Sequence, residues 1–136
     1  MKIAFFDSGL GGISVLSEAM KQLPKEDFVY FADTLHVPYG TKSKEEVLGF
    51  VKQSVDRIIK EEVKALVIAC NTATSIAISE LRSTFDIPII GMEPAVKPAL
   101  AMNRSTGKRV LVLATPLTLK QAKYKDLVSR IDDLGW

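Results

Sequence analysis

Cysteine is nearly absent from this 136-residue chain: there is one, Cys70, together with one histidine, His36, and one tryptophan, Trp136. A single thiol forms no internal disulfide, so nothing points to an oxidising compartment. One cysteine and one distant histidine also fall short of a metal-ligand set, and no metal is expected. Long apolar runs are missing too. No segment approaches the roughly 18 uninterrupted apolar residues of a membrane helix. The run Ile3–Phe6 is broken by Asp7, too soon for the apolar part of a signal peptide. Neither sign of charge dominates: 18 basic against 16 acidic residues leave +2, which makes no electrostatic case for nucleic acid or a membrane surface. The short basic stretch Gly107–Arg109 reads as a turn entering a strand. The expectation is a soluble cytoplasmic protein whose partner is a small molecule.

A hydrophobic content of 47% with 25% charged residues is that of a globular chain, and the length suits one ordinary domain with a real core. Strand-like and helix-like patterns alternate along it. Apolar, β-branched or aromatic runs fall at Lys2–Phe6, Phe28–Phe31, Ala65–Ile68, Pro88–Ile90 and Arg109–Leu113. Between them lie helical stretches at Gly12–Gln22, Lys44–Glu61, Ala73–Thr84, Pro94–Met102 and Leu117–Arg130. In Lys44–Glu61, Val47, Leu48, Val51, Val55, Ile58 and Ile59 recur at helical spacing. Ser43 with Glu46 makes a capping-box pattern at its start. Such alternation predicts an α/β fold, a parallel sheet flanked by helices. Short strands with little internal alternation fit burial on both faces. The proline-rich passage from Ile87 to Pro98 is a candidate crossing between domains.

Two strand ends carry the chemistry. Lys2–Phe6 stops at Asp7-Ser8-Gly9-Leu10-Gly11-Gly12, and Ala65–Ala69 stops at Cys70-Asn71-Thr72-Ala73-Thr74. In an open α/β sheet, ligands bind just past the carboxyl ends of strands. Cys70 ends a strand where a helix should begin, and helix N-terminal amides favour a thiolate in general. A reactive role and simple core packing both remain open for it. A phosphatase-type loop is excluded because Asn71 to Ile76 holds no arginine. A Cys–His pair requires His36 to fold back onto Cys70, although its setting, Thr34-Leu-His-Val-Pro38-Tyr39-Gly40, is turn-like. The glycines after Asp7 resemble part of a dinucleotide loop, but Ser14 stands where the third glycine belongs and Asp7 would repel a pyrophosphate. The alternatives are a tight turn with Asp7 and Ser8 facing a crevice, or a plain helix cap. Tyr39-Gly40 is either a turn with one aromatic packed on it or a phenol face and backbone amide offered to the same crevice.

Taken together, the motifs resemble the glutamate racemases of the aspartate/glutamate racemase group. Phe6-Asp7-Ser8-Gly9-Leu10-Gly11-Gly12, Tyr30-Phe-Ala-Asp33, Pro38-Tyr39-Gly40 and Ala69-Cys70-Asn71-Thr72-Ala73 occur in that order, followed by Gly91-Met-Glu93-Pro94 and Ala114-Thr115-Pro116-Leu-Thr118. The resemblance implies a flavodoxin-like sheet in the first of two pseudo-symmetric domains, residues 1–92, lacking a returning C-terminal segment, with residues 93–136 opening the second. It implies cofactor-independent, two-base interconversion of L- and D-glutamate for peptidoglycan and cell shape, with no cofactor. Cys70 would be one catalytic thiol and Asp7 would interact with it. Ser8, Tyr39, Gly40, Asn71, Thr72, Thr115 and Thr118 would bind substrate. The family's second cysteine, with its neighbouring Thr-His, is absent here, so this chain alone is expected to be inactive. A related aspartate- or hydantoin-type enzyme and a non-catalytic binding or regulatory fragment remain as alternatives, and a homo-oligomer stays open.

Overall fold

The computed structural model describes residues 1–103 and 109–121, with Lys125 and Ser129. Four strands, β1 (Lys2–Asp7), β2 (Phe28–Ala32), β3 (Val63–Ile68) and β4 (Ile89–Gly91), form one sheet in the order β2-β1-β3-β4. Every pairing is parallel. The helices named among the described residues are α1 (Ile13–Gln22), α2 (Lys44–Ile59), α3 (Asn71–Thr84), α4 (Val96–Asn103) and α5 (Pro116–Lys120), with a 3₁₀ turn at Tyr39–Thr41. The α/β expectation therefore holds.

From β1 the chain crosses to β2 on one side, and from β2 it returns past β1 to β3 on the other. Parallel crossovers are right-handed, so these opposite directions put α1 on one face of the sheet and α2 and α3 on the other. Strand residues divide accordingly. Ala4, Phe6, Leu66, Ile68 and Ile89 join Val47, Val51, Val55 and Ile58 of α2 and Ala73, Ala77, Ile78 and Leu81 of α3 in the main core. Phe6 stacks on Phe31, its partner in register, at 6.3 Å between ring centroids. On the other face Phe5 meets Phe28 at 6.0 Å. There α1 buries none of its residues.

Local signals explain the element ends. Ser43 accepts from the Glu46 amide at 3.2 Å while the Glu46 carboxylate accepts from the Ser43 amide at 2.9 Å, the reciprocal cap that starts α2. In α3, Thr74 donates its hydroxyl to the Ile68 carbonyl and accepts from the Met92 amide, both at 3.1 Å, tying the helix to the ends of β3 and β4. Gly91 is needed beside it, because a Cβ there would lie 2.6 Å from Thr74 Cγ2.

Two expectations are corrected. Arg109–Leu113 does not join the sheet: it runs without regular structure, and Leu111 and Leu113 are 83% and 86% exposed. Its β-branched pattern is strand-like, but a strand needs a ladder partner, and none of the described residues supplies one. The helix expected over Leu117–Arg130 appears as Pro116–Lys120, and Lys120 is followed by a bend at Gln121. Beyond that point only Lys125 and Ser129, both helical, fall within the described residues. The turn expected at Gly107 and Lys108 lies outside them.

Gly91→Ala should destabilise the fold by about 1–3 kcal/mol, the usual cost of forcing atoms into a packed site. Thr74 cannot swing aside without losing two hydrogen bonds. A urea midpoint equal to that of the unmutated chain would contradict this account.

Candidate active site

The two chemistry-bearing strand ends lie side by side because β1 and β3 are neighbours whose chains leave in opposite directions. Phe6 pairs with Ile68, and the Ala69 amide donates to the Phe6 carbonyl at 2.8 Å. The next residues, Asp7-Ser8 on one strand and Cys70-Asn71 on the other, therefore face each other across the opening. This is the switch point at which open α/β sheets take their ligands.

Cys70 is the N-cap of α3, with φ −90° and ψ 119°. Its sulfur accepts from the Ala73 amide at 3.5 Å and lies 3.5 Å from the Ser8 hydroxyl. The residue is 8% exposed, and yet it lines the crevice. It belongs both to the rim of the core and to a cavity wall, so packing in the core does not withdraw the sulfur from the crevice. His36 is not its partner. The imidazole Nδ1 sits 2.7 Å from an Asp33 carboxylate oxygen, and the ring stacks on Phe50 at 3.9 Å between centroids. A Cys–His pair is thereby ruled out.

Asp7 is buried below the loop that follows it. Its Oδ2 accepts from the Gly9 amide at 3.0 Å and the Gly12 amide at 3.3 Å, a turn of backbone donors that satisfies a carboxylate taken out of water. Gly12 has to be glycine, since a Cβ there would stand 2.9 Å from both Ala69 Cβ and Asp7 Cβ. Tyr30 completes the loop from β2, donating its hydroxyl to the Gly9 carbonyl at 2.9 Å. Burial, then the nearby Asp7 charge, pushes the Tyr30 hydroxyl up to about 12.

On the far side, Thr72 Oγ1 lies 3.1 Å from Thr115 Oγ1 and 3.0 Å from Thr118 Oγ1, and the latter two are 2.9 Å apart. Three hydroxyls thus form a closed triangle between α3 and the start of α5. Thr115 is the N-cap of α5, accepting from the Thr118 amide at 3.2 Å. Asp7, Cys70, Asn71, Thr72, Thr115 and Thr118 all line one open cavity of about 540 Å³, with the Glu93 carboxyl residue at its margin.

Tyr39 and Gly40 sit elsewhere. The Tyr39 phenol is 3% exposed and donates to Asp33 Oδ2 at 2.6 Å, so it offers no ring face to the cavity. Burial first, then the Asp33 carboxylate, raises its ionisation above the ordinary tyrosine range. Gly40 backs onto Thr115, whose Cβ would lie 2.8 Å from a Cβ placed on the glycine. Of the sequence candidates, six line the cavity, Ser8 touches the thiol, and Tyr39-Gly40 lies behind the threonine triangle. Tyr30 and Asp33, quoted in the motif Tyr30-Phe-Ala-Asp33, were not among the candidate site residues. The available signal was a polar-tipped aromatic and an acid at the carboxyl end of an otherwise apolar strand.

The arrangement defines an open parallel α/β protein with a thiol, a buried carboxylate and a hydroxyl cluster around the crevice at its switch point. A family model for Asp/Glu/Hydantoin racemase matches residues 13–134, and the chain belongs to that family. It is 58% identical over 131 residues to a glutamate racemase of Halothermothrix orenii, a match covering 96% of this chain and 51% of that protein. It is also 58% identical over 132 residues to glutamate racemase 2 of Bacillus subtilis, covering 97% and 50%. Among solved structures, the glutamate racemase of Campylobacter jejuni superposes with a TM-score of 0.82 at 36% identity, over 96% of this chain and 53% of that one. The Escherichia coli glutamate racemase in complex with L-glutamate and the activator UDP-MurNAc-ala gives 0.82 at 31% identity, over 97% and 50%. The chain spans about half the length of the curated relatives it matches.

Tyr30 makes stability pH-dependent at the alkaline end. Free tyrosine ionises near 10.0 and the folded Tyr30 only near 12. The unfolded chain therefore loses its proton first, so the contribution is intact below pH 10 and disappears as pH rises toward 12. The urea midpoint should fall across that window, and less steeply in Tyr30→Phe. Parallel curves for the two proteins would contradict the assignment.

Proposed function

We propose that this chain carries one catalytic face of a glutamate racemase, in which Cys70 exchanges the α-proton of glutamate. The observation that carries the reading is the position of the Cys70 sulfur, on the wall of the switch-point cavity between the Ser8 hydroxyl and the Ala73 amide, with Asp7 lining the same cavity. The thiolate removes the α-proton, forming S–H and leaving the electron pair on the α-carbon, where the adjacent carboxylate delocalises it. Return of a proton from the same sulfur restores the starting enantiomer. Inversion needs a second acid on the opposite face, and the 136 residues contain one cysteine only.

Asp7 contributes the carboxylate oxygen that the loop amides leave free. Asn71, Thr72, Thr115 and Thr118 are suited to hold the substrate's carboxylates and ammonium group by hydrogen bonds, with Ser8 next to the reacting sulfur. Tyr39 and Gly40 act by backing the threonine wall. Glutamate, rather than aspartate or a hydantoin, is favoured by the names of the relatives at 58% identity. In this reading residues 1–92 form the first racemase domain and 93–136 open the second. D-glutamate would feed peptidoglycan, hence cell shape, in the cytoplasm.

In D₂O the purified chain should place deuterium at the α-carbon of one glutamate enantiomer without inverting it, and Cys70→Ser should abolish the exchange. Chiral analysis of the same sample separates the outcomes. Inversion by the 136-residue chain would refute the two-base reading. No exchange in either enantiomer would favour a non-catalytic binding role.

A further inference from the structure

We infer that Asp33 is a positioning residue for the crevice: through the Tyr39 hydroxyl it holds the turn at Gly40 against Thr115 and so fixes the threonine wall. Asp33 is 5% exposed and follows β2, outside the cavity lining. Its carboxylate is nonetheless fully engaged. Oδ2 accepts the Tyr39 hydroxyl at 2.6 Å, Oδ1 lies 2.7 Å from His36 Nδ1, and the Asp33 amide donates to the Asp7 carbonyl at 3.0 Å. Three elements are thereby joined at one residue: the end of β1 through the Asp33 amide, the turn at Tyr39 through the carboxylate, and α2 by way of His36, whose ring is stacked on Phe50.

Contact then passes to the cavity in two short steps. Tyr39 opens the 3₁₀ turn, and Gly40, next in the chain, meets Thr115 so closely that no side chain fits between them. Thr115 in turn is hydrogen-bonded to Thr72 and Thr118. Because packed contacts are stiff, a shift of the phenol has no slack in which to die out before it reaches Thr72, two residues past Cys70. A buried carboxylate with hydrogen-bonding donors on both oxygens is also expensive to leave half-satisfied, so the clamp is either complete or strained. This inference rests on the crevice being the glutamate site, but the geometry can be tested without it.

The test uses the ¹⁵N-labelled 136-residue chain and four variants: Asp33→Ala, Asp33→Asn, Tyr39→Phe and the Asp33→Ala/Tyr39→Phe pair. Amide shifts of Gly40, Thr72 and Thr115 are followed, with β1 and β3 amides as internal controls, and L-glutamate is titrated into each protein. Asp33→Ala and Tyr39→Phe should move the three amides alike while the sheet stays in place, and should weaken glutamate binding about tenfold, the scale of one hydrogen bond to a charged group. The Asp33→Asn amide oxygen still accepts the phenol, so that variant should restore both readouts. The double variant should go no further than either single one. Unmoved amides in Tyr39→Phe, additive effects in the double variant, or an Asn variant as displaced as the Ala variant would each overturn the proposal. If Asp33→Ala does not fold, Tyr39→Phe, which removes one oxygen atom, decides alone. Failure of the unmutated chain to bind glutamate would overturn the substrate reading, and the amide shifts would still decide the positioning role.

Discussion

The hydrogen bond from the Ala69 amide to the Phe6 carbonyl, 2.8 Å long, is the last rung between β1 and β3, and everything about the site depends on it. It fixes the register in which two strands end together before their chains part toward opposite faces of the sheet. Without that adjacency Asp7, Ser8 and Cys70, separated by more than sixty residues, would have no reason to meet. The parting is forced by strand order and by the right-handedness of crossovers. The crevice is thus a consequence of topology, and the side chains merely furnish it.

The furnishing is largely polar, although it sits at the rim of the core. Asp7, Asp33, Thr72, Thr74 and Thr118 are all buried, and each has named partners within hydrogen-bonding distance. Such groups are costly to desolvate unless paired. Their pairing therefore dictates shape: Asp7 curls the glycine loop over itself, Thr74 ties β3 to β4, and the threonine triangle closes α3 against α5. Apolar side chains at the same positions would impose no such directional constraints. Geometry is specified by hydrogen bonds around the crevice and by apolar burial away from it.

Much of this was legible beforehand. Apolar runs located β1 to β4 to within two residues; the burial on both faces that they suggested is fullest in β1 and β3, while β2 is half-buried throughout and Ile90 of β4 is half exposed. The Ser43–Glu46 pair announced α2, and Cys70 followed by Asn-Thr announced the start of α3. What could not be read was lateral. The periodicity of Arg109–Leu113 carries a strand's pattern without a strand's partner, and pairing is a property of two segments. The orientation of Tyr39 was equally hidden, because a proline-containing loop can turn a phenol inward or outward depending on whether an acid waits inside. Asp33, at the end of β2, was that acid. Ser8 and Cys70 were legible as candidates, but their contact across the opening required the sheet order.

The two sides of the crevice are supported unequally. Cys70 caps a helix with seven buried residues, whereas the glycine loop over Asp7 feeds α1, which buries none. Segments with little buried surface open locally at far lower free energy than the whole fold. The thiol thus stands on the better-anchored of the two walls. Local opening is expected first in the glycine loop and the start of α1, on the carboxylate side, while the wall built by α3 opens only at a cost nearer that of the whole fold.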